Sequence, residues 1–218
     1  MKPKSVGVIG AGAWGSGLAQ AIARGGHKVQ IWALENDVVD SINNEHENKR
    51  YLPGFPLSEN LTASTNIEEV ANGKEYLILA SPSLFIASTA KQISNVPSIK
   101  NGETVIGVLT KGFVSSAEGP RLILDTLEDV LPESYKGALV YISGPSHAEE
   151  VAMGKLTGLS AASELALNSI KCFVIAGDSP MSISSLIRNG LPICTTCLRT
   201  TSLRASTPSL SARTIRKL

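Results

Sequence analysis

The first part of the chain alternates short apolar runs with stretches in which apolar residues recur at helical spacing. Residues 4–10 (KSVGVIG) are apolar, rich in β-branched side chains and end in glycine, which predicts a buried strand. From Ala13 to Arg24 the apolar positions follow a helical period, and the pair Gly25 and Gly26 ends the predicted helix. Residues 27–33 (HKVQIWA) predict a second strand.

The same alternation continues further along the chain. The runs EYLILA, TVIGVL and ALVYI predict three more buried strands, with helical patterns at about 84–94 and 120–131 between them. Asn36 is placed to cap the helix DVVDSIN, and Asn66 with Glu69 three residues later predicts a capping box. The intervening stretch HENKRYLPGFPLSEN is predicted to be irregular. Strands that alternate with helices predict an α/β fold, a doubly wound parallel sheet covered on both faces.

The character of the sequence changes near residue 164. The last 40 residues contain no acidic side chain, 14 Ser or Thr and six Lys or Arg, and they show no sustained period. We therefore predict one folded domain over residues 1–163 and an irregular, poorly ordered tail over residues 164–218. A shift of the reading frame between about residues 164 and 180 is our hypothesis for this change.

Overall charge and cysteine use narrow the class of protein. The net charge is +1, so nothing favours nucleic acid or an anionic membrane as a partner. Cys172, Cys194 and Cys197 all come late in the chain, which is typical of a reducing cytoplasm. The apolar runs are too short to span a bilayer, and the C-T-T-C at 194–197 lacks the further ligands of a zinc site. We predict a cytoplasmic protein without a metal, and leave its oligomeric state open, a homo-oligomer included.

The stretch VGVIGAGAWGSGLA carries the strongest chemical signal. Gly10, Gly12 and Gly15 form G-x-G-x-x-G at the junction between the first strand and its helix, the context that a dinucleotide-binding loop requires. The amides at the start of the helix would then face a pyrophosphate. Glu35 follows the second strand, where a carboxylate can accept a hydrogen bond from a ribose 2′-hydroxyl and repels a 2′-phosphate. These positions predict a Rossmann domain that favours NAD over NADP.

Four separated stretches narrow the choice further: GAGAWGSGLA, NKRYLPG, TKG and SGPSHAEEVAMG. In this order and spacing they resemble the NAD(P)-dependent glycerol-3-phosphate dehydrogenases, over about residues 4–163. The resemblance implies an oxidoreductase that reduces dihydroxyacetone phosphate to sn-glycerol 3-phosphate for phospholipid biosynthesis. It also implies a Rossmann domain followed by an all-α substrate domain. The implied cofactor is NAD, with NADP left open, and the implied partner is a small phosphate-bearing substrate.

The resemblance also implies individual site residues. Besides the three motif glycines, the implied cofactor contacts are Ala13, Trp14, Leu34, Glu35, Tyr51, Lys111 and Ala148. The implied substrate contacts are Lys111, Gly144 and Ser146. Lys111 is the predicted catalytic residue, because an ammonium group would stabilise the negative charge that hydride addition leaves on the carbonyl oxygen. Leu34 stands where the family often has Arg or His, which removes one partner for a 2′-phosphate.

Simpler interpretations compete with several of these roles. Lys111 could be an exposed turn lysine and Ser146 a plain helix N-cap, whereas His147 is interpreted as a bystander. The family's general acid/base is a lysine of the helical domain, and neither Lys171 nor Lys217 has its sequence context. We therefore expect this chain to turn over poorly. A non-catalytic NAD-binding module and a related β-hydroxyacid dehydrogenase are the competing functions.

Overall fold

The computed structural model describes residues 2–117, 119–144, 146–155 and 157–163, and the backbone of residues 171–175. The strands are β1 (Ser5–Ile9), β2 (Lys28–Trp32), β3 (Glu47–Asn48), β4 (Leu52–Pro56), β5 (Leu61–Ser64), β6 (Tyr76–Leu79), β7 (Val105–Val108), β8 (Phe113–Ser116), β9 (Gly119–Leu122), β10 (Val140–Ser143), β11 (Thr157–Ala162) and β12 (Lys171–Ile175). The helices are α1 (Ala13–Arg24), α2 (Asn36–Glu45), α3 (Ile67–Ala71), α4 (Ile86–Ile93), α5 (Pro97–Lys100), α6 (Ile123–Glu128) and α7 (Ala148–Ala152), with a 3₁₀ turn at Glu133–Tyr135.

Eight of the strands form one sheet in the order β12-β11-β10-β7-β6-β1-β2-β5. The six strands from β10 to β5 are parallel to their neighbours, and β11 and β12 add two antiparallel strands at one edge. The strands β3 with β4 and β8 with β9 form separate two-stranded hairpins. From β1 the chain first builds β2 and β5 on one side and then crosses to β6, β7 and β10 on the other. The carboxyl ends of β1 and β6 therefore flank the topological switch point of the sheet, the usual ligand site of such folds.

Both faces of the sheet are covered, which explains why β1 is apolar at successive positions. Val8 packs into a cluster that includes Leu18 and Ile22 of α1, whereas Ile9 packs into a second cluster that includes Ile86 of α4. Neighbouring residues of a strand point to opposite faces, so a strand between two helical layers needs apolar side chains at both. The predicted doubly wound sheet is confirmed.

Most predicted elements are found, and the bounds of α1 agree with the prediction. The structure adds the edge strand β5, the antiparallel strand β11 and the two hairpins, one of which, β3 with β4, falls in the stretch that we predicted to be irregular. Apart from the six-residue β11, these strands have only two to five residues, so their sequences carry little periodicity.

The two predicted helix caps have different outcomes. Asn66 is confirmed, because its side chain accepts hydrogen bonds from the amides of Glu68 and Glu69. The reciprocal half of the box is not formed, since the amide of Asn66 donates to Ser64 Oγ instead, at 3.1 Å. The cap at Asn36 is wrong: α2 already includes Asn36, and Glu35 occupies the N-cap position without a side-chain bond to the helix.

The sheet continues past the domain boundary that we predicted at residue 163. Strand β12 pairs antiparallel with β11, from Thr157 opposite Ile175 to Ala161 opposite Lys171. The rest of the predicted tail, residues 164–170 and 176–218 with the C-T-T-C motif, lies outside the described residues. Within the described part of the chain, no helix has both the length and the apolar character needed to cross a bilayer.

Candidate dinucleotide-binding site

The three motif glycines follow β1 at the switch point, and each has different surroundings. Gly10 has a φ of +119°, and a Cβ there would lie 2.9 Å from backbone atoms of Ala80 and Ser81. A Cβ on Gly15 would lie 1.9 Å from the carbonyl oxygen of Gly10. A Cβ on Gly12 would meet no atom within 4 Å. Two glycines therefore let the turn close, and the third leaves the outer side of the loop open.

That open side faces the start of a helix that suits an anion. Gly12 is the N-cap of α1 and has no side chain to satisfy the first helical amides, and the first turn contains no acidic residue. The helix dipole and the unpaired amides of a first turn favour a phosphate group there. The loop thus fits the pyrophosphate of a dinucleotide both in shape and in charge.

Beneath the loop lies a buried polar contact that the sequence analysis missed. Asn48 is fully buried, and its Nδ2 donates to the carbonyl oxygen of Ala11 and to Ser16 Oγ, both at 2.8 Å. Ser16 Oγ also donates to the carbonyl of Ala11, at 3.2 Å. The Oδ1 atom of Asn48 accepts from the amide of Tyr51 at 3.0 Å. The only sequence signal was an asparagine ahead of YLPG, which gives no hint of its partners.

The predicted ribose contact, Glu35, meets the predicted aromatic contact. Tyr51 Oη donates to Glu35 Oε1 at 2.7 Å, and this bond raises the pKa of Tyr51 above its usual value. The guanidinium of Arg50 lies 5.4 Å from the centre of the Tyr51 ring and 3.4 Å from Asp37 Oδ2. Leu34 is 75% exposed beside this group. The structure thus brings together Glu35 and Tyr51 and adds a cation, Arg50, which sequence reasoning missed.

Lys111 lies on the loop that follows β7, at the same edge of the sheet. Its Nζ donates to the carbonyl oxygen of Gly144 at 3.4 Å and lies 5.7 Å from the centre of the Trp14 ring. The contact with Trp14 has the geometry of a cation–π interaction. The first turn of α1 and the loops after β7 and β10 therefore converge on one ammonium group, which is more than an isolated turn lysine would do.

The loop after β10 holds the other predicted substrate contacts. Gly144 has a φ of +156°, and a Cβ there would lie 2.3 Å from the carbonyl oxygen of Gly158, so the close approach requires glycine. Ser146 Oγ donates to the carbonyl of Gly144 at 3.3 Å. The interpretation of Ser146 as a helix N-cap is wrong, because α7 begins at Ala148 and its N-cap is His147, whose side chain makes no capping bond.

Helix α7 reaches the glycine loop by packing on α1. A Cβ on Gly17 would lie 2.6 Å from the carbonyl oxygen of Ala148, so only glycine permits this approach of the two helices. Ala148 is buried and joins Leu52 in a small apolar cluster against which Ala13 and Trp14 also pack. Residues from GAGAWG, YLPG and SGPSHA thus share one cluster, and Lys111 of TKG lies over its tryptophan. All four separated motifs meet at a single place.

Leu34 and His147 are not among the residues of this apolar cluster. Leu34 extends into solvent without a described partner in the loop, and His147 makes no capping contact. Among the residues that the structure describes, no three His, Cys, Asp or Glu side chains lie close enough together to hold a metal ion.

A doubly wound sheet with a glycine loop at its switch point defines a Rossmann-type dinucleotide-binding fold. Residues 5–168 match the model of the NAD-dependent glycerol-3-phosphate dehydrogenase N-terminus. A glycerol-3-phosphate dehydrogenase [NAD(P)+] of Treponema denticola is 43% identical over 87% of this chain and 55% of its own length. One from Lactiplantibacillus plantarum is 35% identical over 73% of this chain and 47% of its own.

The solved structures agree with these relatives. The crystal structure of glycerol-3-phosphate dehydrogenase from Coxiella burnetii superposes with a TM-score of 0.64 and 32% identity, over 74% of this chain and 47% of that one. The chain therefore belongs to the family of NAD-dependent glycerol-3-phosphate dehydrogenases, whose N-terminal domain it matches. It spans about half the length of the curated relatives. A match over 87% of the chain also extends past residue 163, further than the sequence analysis placed the end of the family pattern.

Proposed function

We propose that this chain binds NAD(H) along the carboxyl edge of its sheet. The pyrophosphate lies on the amides at the start of α1, over the open side of Gly12. The adenosine ribose lies beside Glu35, whose Oε1 is held by Tyr51. The diol of the ribose donates to this carboxylate, whereas a 2′-phosphate meets its negative charge, so NAD is the favoured form. Arg50 is the group that would allow NADP to bind as the second choice.

We further propose that the chain carries the dinucleotide-binding part of a dehydrogenase that interconverts dihydroxyacetone phosphate and sn-glycerol 3-phosphate. The observation that carries this proposal is the position of Lys111 Nζ, between the Gly144 carbonyl and the Trp14 ring beside the glycine loop. A bound nicotinamide would supply or take up the hydride. In the direction of reduction the ammonium of Lys111 stabilises the oxygen that becomes negative, at the place where the loop of Gly144 and Ser146 would hold the substrate.

The cellular setting follows from this proposal. A small phosphate ester is the proposed substrate and phospholipid biosynthesis the proposed purpose, in the cytoplasm. The relatives support the reaction, because they are named glycerol-3-phosphate dehydrogenase [NAD(P)+], and the match of residues 5–168 to the family model supports its transfer to this chain.

Two measurements on the purified chain test these proposals. Titration with NADH, followed through energy transfer from tryptophan to the reduced nicotinamide, tests cofactor binding, since Trp14 lies in the first turn of α1, within the glycine motif. Oxidation of NADH after addition of dihydroxyacetone phosphate tests the reaction. Binding with turnover supports both proposals, and binding without turnover identifies a non-catalytic NAD-binding module. Saturation that fails in well-folded protein overturns both.

A substitution at Lys111, compared with the same substitution elsewhere, distinguishes a specific role of Lys111 from a general loss of one positive charge. Lys111→Met should leave NADH affinity within a few-fold and abolish measurable turnover of the phosphate substrate, because an oxyanion stabiliser acts in the transition state. Lys100→Met is the matched control. Lys100 is an exposed lysine that ends α5 and precedes the amino end of β7, whereas Lys111 follows its carboxyl end. When the wild-type chain turns over measurably, equal turnover in both variants contradicts the assignment of Lys111.

A further inference from the structure

We infer that Asn48 is a positioning residue of the cofactor site, which aims the glycine loop at the pyrophosphate and ties it to the ribose-binding carboxylate. The inference rests on the proposed binding of NAD(H). It concerns a residue that touches no ligand itself, because Asn48 is fully buried beneath the loop.

Two hydrogen-bond donors hold the peptide between Ala11 and Gly12 in one orientation. The carbonyl oxygen of Ala11 accepts from Asn48 Nδ2 at 2.8 Å and from Ser16 Oγ at 3.2 Å. A trans peptide is planar, and its N–H points away from its C=O. Two donors that hold the carbonyl of Ala11 inward therefore turn the amide of Gly12 to the opposite side. Gly12 is also the N-cap of α1, so this amide lies at the start of the helix, where the phosphate is expected.

The side chain of Asn48 matches its partners in both donors and acceptor. A neutral amide side chain offers two N–H donors and one carbonyl acceptor. Asn48 uses both functions: Nδ2 donates to Ala11 and Ser16, and Oδ1 accepts from the amide of Tyr51 at 3.0 Å. No apolar residue could satisfy these groups, and an aspartate would place a carboxylate against the carbonyl of Ala11. A buried, fully paired amide of this kind fixes one arrangement of the backbone around it.

Asn48 and Tyr51 also link the two halves of the proposed site. The amide that Oδ1 accepts belongs to Tyr51, and the hydroxyl of Tyr51 holds Glu35 at 2.7 Å. Hydrogen bonds thus connect the glycine loop to Asn48 and Asn48 to the Tyr51 backbone, and the Tyr51 side chain extends from there to Glu35. Because β1 and β2 are separate strands, this path is a direct tie between the pyrophosphate and the ribose ends of the site.

Asn48→Asp is the sharpest variant, because it keeps the size and the acceptor that Tyr51 needs and removes both donors. We expect the Kd for NADH to rise about tenfold or more, since the loop carbonyl then faces a negative group. Ser16→Ala is the milder second variant, which removes one of the two donors to Ala11 and suits a helix. We expect it to raise the Kd about threefold.

Asn43→Ala is the matched control for a merely structural effect. Asn43 also bridges backbone groups: its Nδ2 donates to the carbonyl of Ala63 at 2.9 Å, and its Oδ1 accepts from the amide of Ala63 at 2.8 Å. These bonds tie α2 to β5 and do not touch the glycine loop. We expect Asn43→Ala to lower the thermal midpoint as the Asn48 variant does, but to leave the Kd for NADH within twofold.

The readout is the Kd for NADH beside the thermal midpoint of each folded variant. A Kd that rises for the Asn48 and Ser16 variants but not for the Asn43 variant supports the inference. If the Asn48 variant does not fold, the Ser16 variant decides by the same criterion. The inference is overturned, while binding by the wild type stands, in either of two cases. In the first, the Kd values of the Asn48 and Ser16 variants stay within twofold of wild type. In the second, the Kd values of all three variants merely follow their thermal midpoints. Absence of NADH binding by the folded wild-type chain overturns the proposed function and this inference with it.

Discussion

The phenolic hydroxyl of Tyr51 donates a 2.7 Å hydrogen bond to Oε1 of Glu35, which joins the turn after β3 to the end of β2. The bond holds one oxygen of the carboxylate and leaves the other for a ligand. It also explains why Glu35, although it is the N-cap residue of α2, makes no capping bond with its side chain. Glu35 is oriented toward the proposed ribose site and not toward its own helix.

Removal of this hydroxyl should change the choice between NADH and NADPH. In Tyr51→Phe the carboxylate of Glu35 is free to rotate away, so we expect the Kd for NADH to rise about three- to tenfold. The Kd for NADPH should change less, because a mobile carboxylate repels the 2′-phosphate less strongly. Titration with both nucleotides measures the ratio. Tyr76→Phe, at the amino end of β6, is the control and should leave both values unchanged. An equal loss of affinity for the two nucleotides would contradict a selective role.

Alanine at Gly12 and alanine at Gly15, the second and third glycines of the motif, should have opposite consequences. Gly12 has φ −64° and ψ 175°, which alanine adopts easily, and its Cβ would meet no protein atom. We expect Gly12→Ala to keep or slightly raise the thermal midpoint but to raise the Kd for NADH about tenfold or more, since the methyl group occupies the ligand's side.

Gly15→Ala should instead damage the fold. Its Cβ would lie 1.9 Å from the carbonyl oxygen of Gly10, a backbone atom that cannot move alone. We expect a loss of about 1–3 kcal/mol in the free energy of unfolding, which urea titration measures. A Gly12 variant with normal NADH affinity, or a Gly15 variant of normal stability, would show that the two glycines do not have these roles.

Tyr135 should make stability depend on pH in the alkaline range. It is buried and donates to the carbonyl of Thr104 at 2.8 Å, and burial raises the pKa of Tyr135 to about 12. The unfolded chain releases this proton near pH 10, whereas the folded chain retains it until about pH 12. The contribution is therefore fully present below pH 10 and is lost as the pH rises from 10 to about 12.

Tyr135→Phe isolates this contribution. Below pH 10 the variant should be less stable than wild type by about 1 kcal/mol, for the lost hydrogen bond. The difference should shrink and then reverse toward pH 12, because phenylalanine has no proton to lose. Thermal midpoints of both proteins between pH 8 and 12 measure it. Parallel pH profiles would mean that Tyr135 titrates alike in the folded and unfolded chain.

His46 has a left-handed backbone conformation that suits asparagine better than histidine. It is the C-cap of α2 with φ 50° and ψ 43°, in the left-handed region, and its Nδ1 is buried without a hydrogen-bond partner. Asparagine tolerates this conformation better, so we expect His46→Asn to raise the free energy of unfolding by about 0.5–1 kcal/mol. His147→Asn, at an extended residue, is the control and should gain nothing. A gain that is equal in both variants would argue against relief of strain at His46.

The sequence by itself determined the first strand–helix–strand unit and the position of the glycine loop. The period of apolar residues from Ser5 to Trp32 specifies a strand, a helix and a strand, because burial on both sides of a sheet and on one face of a helix require different spacings. The G-x-G-x-x-G spacing placed the proposed cofactor loop for a related reason, since a closed turn leaves no room for a Cβ at Gly10 or Gly15.

Only the tertiary structure decided which polar groups meet. Asn48 and Ala11, Tyr51 and Glu35, and Lys111 and Trp14 are separated along the chain, and no local pattern records their pairing. The edge strands β5 and β12, and β11 next to β12, likewise form through pairing with neighbouring strands of the sheet. Local spacing reports how a residue relates to its own helix or strand, whereas a hydrogen bond between loops depends on how the elements pack, and packing is settled by the whole fold.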